Sequence, residues 1–329
     1  MNQLIANFTS QLNEALAIGE QAHISPSITP INNVLVSGLG GSGIGGSIVL
    51  DYVYDKLKVP FTVNKDYFLP AFVGEDTLVI ISSYSGNTEE TVSVLERAIE
   101  CKAKIVCITS GGKVAELARA HQLDLVTIPG GNPPRSCLGY SLVQIMYTLY
   151  RLNLVSDAFI AEYKAAIHLL DTEETAIKTQ AEAVAKELAD KIPVIYSISG
   201  FEGVAVRFRQ QINENGKMLC WHNVIPEMNH NELVGWRSPY DNLAVVIFRN
   251  HSDYSRSVHR VEINKEVIRN YTPHIFEIHS KGSSYWENAL YLVHLGDWIS
   301  WYLAQERHVD VMEVKVIDHL KNSLQKLDA

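Results

Sequence analysis

VLVSGLGGSGIGG, residues 34–46, passes from a β-branched apolar run through a glycine-rich turn into a helical pattern. A strand that is apolar on both faces belongs inside a parallel sheet covered by helices, not at a solvated surface. Glycines let the backbone turn tightly and approach a ligand, and the helix start that follows offers unpaired N–H groups to an anion. Working outward, the same alternation recurs. FTVNK (61–65), LVIISS (78–83), KIVCITS (104–110) and LDLVTIP (123–129) read as strands, with helical patterns at about 42–58, 88–101 and 114–121. After Asn132-Pro133-Pro134, a helix is expected to begin near Arg135, and helical stretches fill roughly 136–190. At Pro193 the alternation restarts: PVIYSIS, a helix over 204–215, LAVVIFRN (243–250), a helix over 255–271, HIFEIHS (274–280), and a long helix from Tyr285. The pattern predicts an α/β protein with two doubly wound parallel sheets and helices on both faces. Two domains are expected, 1–155 with the glycine-rich loops and 156–329 with the second series.

The 329-residue chain carries a formal net charge of −9. It has no Lys/Arg-rich block, so the electrostatic footprint of a nucleic-acid binder is missing. Any anion site must be local, built from backbone N–H groups, hydroxyls and a few cations. The first twenty residues place Leu4, Ile5, Phe8, Leu12, Ala15 and Leu16 at helical spacing and read as an amphipathic helix, not a secretion signal. No window has the apolar length of a membrane span. Cys101, Cys107, Cys137 and Cys220 lack metal-type spacing and sit in apolar patterns, as reduced thiols of a cytoplasmic protein would.

Gly38, Gly40 and Gly43 spell G-x-G-x-x-G, and Asp66 follows the second strand, so an NAD(P)-dependent oxidoreductase is one reading. A second loop shifts the balance. In SSYSGNTEET (82–91), Ser83, Ser85 and Thr88 bring three hydroxyls to another strand-to-helix junction. Such a cluster can hold a phosphomonoester without a lysine. Ordinary N-capping by Asn87 or Thr88 explains one hydroxyl, not three. A dinucleotide fold has no need of this second loop.

The two loops together resemble the sugar isomerase (SIS) domain. Pro133-Pro134-Arg135, Gln211-Ile212-Asn213-Glu214-Asn215, Asn229-His230-Asn231-Glu232 and Ile317-Asp318-His319-Leu320-Lys321 resemble the bifunctional phosphoglucose/phosphomannose isomerase family. The resemblance runs from about Val34 to near the C-terminus. It implies an aldose–ketose isomerase that converts glucose 6-phosphate, and mannose 6-phosphate, to fructose 6-phosphate through a cis-enediol. It implies no cofactor and no metal, a cytoplasmic homodimer, and a phosphate site at Gly41, Ser42, Ser83, Ser85 and Thr88.

Aldose–ketose isomerisation needs a base for the C1/C2 proton, a cation or donors for the enediolate, and an acid/base pair to open the ring. By the resemblance Glu214 is the base. Taken alone it would read as a solvated helix-end carboxylate, and Glu202, Glu227 and Glu232 compete with it. Arg135 is a fixed cation suited to the enediolate, or else a salt-bridge arginine. Histidine is the side-chain type suited to passing a proton near neutral pH, and by the resemblance His230 acts across the subunit interface. A zinc site from His222, His230 and Glu232 matches no strong metal signature. Lys321 is the family's ring-opening lysine, with Lys315 as runner-up. As bare sequence features, both read most simply as solvated charges on the polar face of a terminal helix. Asp310-Val311-Met312-Glu313-Val314 departs from the family's Asp-Pro-Thr-Pro-Val. The aromatic stripe Tyr285, Trp286, Tyr291, Trp298, Trp301 and Tyr302 reads as core or dimer interface. A non-catalytic sugar-phosphate sensor with the same fold is the remaining alternative; it could dispense with Glu214 and His230.

Overall fold

In the computed structural model, which describes residues 1–324 and 326, the run beginning at Asn33 pairs on both sides. The amino-terminal stretch forms α1 (Asn2–Ala6) and α2 (Phe8–Gln21), interrupted at Asn7. The first sheet alternates β1 (Asn33–Ser37), α3 (Gly40–Val53), β2 (Phe61–Asn64), β3 (Thr77–Ser82), α4 (Glu89–Glu100), β4 (Lys104–Thr109), α5 (Gly112–Ala120) and β5 (Asp124–Thr127). Its strands lie in the order β2-β1-β3-β4-β5, and all are parallel. Val36 sits opposite Val63 on one side and Ile80 on the other. α3 stops at Val53, short of the expected Lys58. Beyond Val53 the chain closes in a turn, with the Lys56 and Leu57 N–H groups both donating to the Val53 carbonyl, at 2.9 and 2.8 Å.

Two helices then cross to the second sheet, α6 (Leu138–Arg151) and α7 (Ala158–Leu188). The second sheet runs β6 (Ile192–Ile198), α8 (Glu202–Glu214), β7 (Trp221–Ile225), β8 (Leu243–Arg249), α9 (Ser255–Ile268) and β9 (Ile275–His279), followed by α10 (Tyr285–Glu306) and α11 (Lys315–Leu324). Its order is β7-β6-β8-β9, again all parallel. β7 is absent from the sequence reading. It is an edge strand, WHNVI, of which Ile225 alone is buried, so it lacks the continuous apolar signal of its neighbours. Ser284 and Glu287 open α10 with a reciprocal capping box.

One apolar cluster joins both sheets through α2, α3, α6, α7, α8 and α10. Separate clusters lie under α4 and α5 on the first sheet and under α9 on the second. Each sheet is therefore covered on both faces, which explains why its central strands are apolar throughout. Trp286, Tyr291 and Trp298 of the aromatic stripe are buried in the core, Trp286 stacking on Tyr163 of α7 at 4.5 Å.

Candidate active site

The glycine loop and the hydroxyl loop leave the C-terminal ends of β1 and β3, where the strand order reverses. Ligands gather at this position in open α/β sheets. The loops are stitched together. The Ser42 Oγ accepts from the Tyr84 backbone N–H at 2.9 Å, and the Ser82 hydroxyl donates to the Ser42 carbonyl at 3.2 Å. Ser83 Oγ donates to Thr88 Oγ1 at 3.2 Å, and Ser85 Oγ accepts from the Asn87 N–H at 3.3 Å. Thr88 occupies the N-cap position of α4 yet makes no side-chain cap bond. The Asn87 side chain accepts from the Lys113 N–H instead. Capping therefore does not use up these hydroxyls. Gly41 faces the chain ahead of α6: a Cβ there would lie 2.7 Å from the Pro134 carbonyl oxygen and 3.1 Å from Arg135 Cα. Only glycine allows the two segments this approach.

Arg135 is thus brought against the glycine loop. It does not start a helix, as its sequence context suggests, but sits in a 3-10 turn, Pro134–Ser136, ahead of α6. Its side chain is buried, and each part of the guanidinium has an assigned partner. Nη1 lies 3.6 Å from Glu214 Oε2, Nε donates to Asn215 Oδ1 at 2.8 Å, and Nη2 donates to the Val311 carbonyl at 2.8 Å. Burial pulls the Arg135 pKa down, the Glu214 carboxylate opposes this, and the Arg207 charge adds to it. Glu214 ends α8 with its side chain 28% exposed, open to a ligand on one side and facing a fixed cation on the other.

Lys217 escapes the sequence reading, although it follows INENG directly. Its ammonium donates to the Glu214 carbonyl at 2.6 Å and to the Glu313 carbonyl. Burial lowers its pKa, and the nearby Arg135 charge adds to that. Arg135 and Lys217 together hold the 311–313 segment, the lead-in to α11, against the site. Arg207, Asp297 and Ser300 were also missed, because nothing in their local sequence separates them from surface polar residues.

The competing carboxylates have other occupations. Glu232 accepts from Tyr196 Oη at 2.6 Å, Trp221 Nε1 at 3.1 Å and Asn223 Nδ2 at 2.7 Å. Glu202 lies 3.6 Å from His222, and Glu227 accepts from Asn231. Among the described residues no three His, Cys, Asp or Glu side chains gather as a metal cage.

Two of the residues expected at the site, His230 and Lys321, lie apart from the Arg135–Glu214 pair. His230 is the exposed last residue of a 3-10 turn, Glu227–His230, and among the described residues its side chain makes no hydrogen bond or ion pair. Its neighbours are anchored, Asn229 to Asn264 at 2.6 Å and Glu232 as above, so the imidazole stands out from a fixed loop. Neither His230 nor Lys321 bonds to the Arg135–Glu214 pair. Lys321, exposed on α11, lines with Ser85 and Thr88 a cleft of about 780 Å³ between α4 and α11, whereas Lys315 is not on that lining.

Residues 177–324 match the family of the bacterial phospho-glucose isomerase C-terminal SIS domain. The chain is 39% identical to a bifunctional phosphoglucose/phosphomannose isomerase of Caldicellulosiruptor bescii, over 99% of both chains. It is 36% identical to the Aquifex aeolicus protein of the same name, over 93% of this chain and 95% of that one. In fold it superposes on the C-terminal domain of glucosamine-fructose-6-phosphate aminotransferase from Francisella tularensis. The TM-score is 0.76 at 13% identity, covering 94% of this chain and 98% of that one. With a relative this similar along nearly its whole length, the chain belongs to the bifunctional phosphoglucose/phosphomannose isomerase family.

Proposed function

We propose that this chain interconverts glucose 6-phosphate and fructose 6-phosphate through a cis-enediol, with mannose 6-phosphate as a second aldose. The observation that carries this reading is the Arg135–Glu214 pair lying against the glycine loop, so that a cation, a base and an anion cradle share one wall. The phosphate would rest on the Gly41 loop and the hydroxyls of Ser42, Ser83, Ser85 and Thr88. Glu214 takes the proton from C2 of the open-chain aldose, and the electron pair moves through C1 to O1. The Arg135 guanidinium steadies the resulting enediolate. Returning the proton to C1, with proton transfer between the two oxygens, gives the ketose. His230 and Lys321 open the ring, His230 coming from a second copy of the chain in a cytoplasmic homodimer. Residues 1–155 would form the phosphate-binding domain and 156–329 the domain carrying Glu214 and His230.

The test is isomerisation of fructose 6-phosphate in the presence of EDTA, with glucose 6-phosphate detected by a coupled dehydrogenase and mannose 6-phosphate as a second substrate. Turnover is expected to survive EDTA and to fall by roughly 10²–10⁴-fold in Glu214→Gln, the range for loss of a general base. Binding of sugar phosphate without turnover would identify a sensor instead.

A further inference from the structure

Behind the Arg135–Glu214 pair lies a closed circuit of buried polar groups. Arg207 Nε and Nη2 donate to the two carboxylate oxygens of Asp297, at 3.2 and 2.8 Å, and Nη2 also donates to the Arg135 carbonyl at 2.7 Å. Arg135 Nε donates to Asn215 Oδ1 at 2.8 Å, and Asn215 Nδ2 donates to Ser300 Oγ at 2.9 Å. Ser300 Oγ donates in turn to the Asp297 carbonyl at 2.7 Å, closing the circuit. Arg207 and Asn215 are presented by α8 and its C-cap, Asp297 and Ser300 by α10, one turn apart. Arg207, Asn215 and Ser300 are at most 1% exposed.

We infer that Arg207, Asp297, Asn215 and Ser300 are positioning residues that fix the backbone and the guanidinium plane of Arg135, so that Nη1 faces Glu214. Stability alone is a poor explanation for the circuit. A buried ion pair gains little over well-packed apolar residues of similar volume. Here, moreover, its donors go to the backbone and side chain of one functional arginine. Each bond removes one freedom: Arg207 holds the Arg135 main chain, and Asn215 holds the rotation about Nε. Ser300 accepts from the Asn215 amide nitrogen, so the amide cannot flip and present a donor to Arg135. The circuit reaches the reaction only through Arg135, and this inference rests on the isomerase reading for its effect on rate.

Ser300→Ala is the mildest cut, because it opens the circuit without exposing a charge. Asn215→Ala and Asp297→Asn are the stronger ones. With arginines labelled at Nε and the Arg135 signal assigned by Arg135→Lys, the Arg135 Nε–H is expected to exchange slowly in the native protein. In Ser300→Ala and Asn215→Ala it should exchange at least about tenfold faster, as expected of a buried N–H that loses its fixed partner. In the same variants kcat should fall about 10–100-fold with KM within about twofold, the signature of misplacement rather than lost binding. Unchanged exchange would overturn the inference, and so would faster exchange with kcat intact. If the native protein turns over neither aldose phosphate, the isomerase reading falls while the exchange rates still decide whether the circuit holds Arg135. Asp297→Asn tests the ion pair separately: if it melts early but keeps full kcat when folded, Arg207 and Asp297 serve stability alone.

Discussion

Arg135 carries its charge at a position 5% exposed, where an unpaired guanidinium would be prohibitively costly. It is tolerated because Glu214, Asn215 and the Val311 carbonyl take separate corners of one planar fork, an arrangement the single ammonium of a lysine cannot copy. The loops of the proposed phosphate site show the same economy. Ser42 Oγ accepts from the Tyr84 N–H, and in that proposal its own proton goes to a ligand oxygen. Ser42→Ala is therefore expected to act twice. The buried Tyr84 N–H is left without an acceptor, costing about 1–3 kcal/mol of stability in urea unfolding. KM for fructose 6-phosphate should rise roughly tenfold, the scale of one lost charge-assisted hydrogen bond, with a smaller change in kcat. An unchanged unfolding midpoint would show that the hydroxyl does not hold the loops together. Arg135, Glu214, Ser42, Ser83, Ser85 and Thr88 stand out in the sequence because each lies in a compact motif, and the fold brings Arg135 to Glu214 and Ser42 to the hydroxyl loop. Lys217 directly follows one such motif, but its second partner, the Glu313 carbonyl, and the Arg207 partners Arg135 and Asp297 come from elsewhere in the chain.

At the level of elements, the decisive contact is α3 against α8. The first begins at the glycine loop and the second ends at Glu214, so their packing sets how far the glycine loop lies from the Glu214 carboxylate. A Cβ on Gly203 would lie 2.8 Å from the Ile48 N, so the helices touch backbone to backbone. Asp51 of α3 accepts from the Gly203 N–H at 2.8 Å, at the start of α8. Burial pushes its carboxyl up to about 7, the Gly203 hydrogen bond opposing and the Glu202 charge adding. A carboxyl raised in the folded state holds its proton there while the unfolded chain has released it. It therefore contributes a loss of stability as pH rises from about 4 to about 7. Asn keeps the acceptor and removes the titration. Asp51→Asn is expected to gain on the native protein with rising pH, by up to a few kcal/mol at about 1.4 kcal/mol per pH unit. Unfolding midpoints of the two proteins at pH 4.5, 6 and 8 check this, and a difference that is flat with pH would refute it. β7 shows the limit of reading elements from sequence. Its pairing with β6 is tertiary, and an edge strand with one buried side chain leaves almost no pattern to find.

At the scale of the whole molecule, His230 is exposed and its side chain has no partner among the described residues, which bears on how copies of the chain would assemble. If it completes the site of a second copy, Glu214→Gln and His230→Ala, each nearly inactive, should complement when co-expressed. Random pairing at equal amounts makes half the dimers hybrids with one intact site each, or about a quarter of native activity. Sedimentation would establish the dimer; a dimer without complementation would place His230 in its own subunit's site. The alternation of apolar runs with helical patterns was enough by itself to determine two parallel sheets, because local periodicity and burial on both faces are written along the chain. The hydroxyl and glycine loops could likewise be located at strand-to-helix junctions, since a strand, a turn and a helix start are contiguous in sequence. Tertiary structure alone decided that Gly41 backs onto Pro134 and Arg135, that Arg135 meets Glu214 nearly eighty residues away, and that Arg207, Asp297 and Ser300 stand behind them. Those contacts join residues from separate helices and loops. Their geometry follows from how α3, α8 and α10 pack, and no local pattern encodes it.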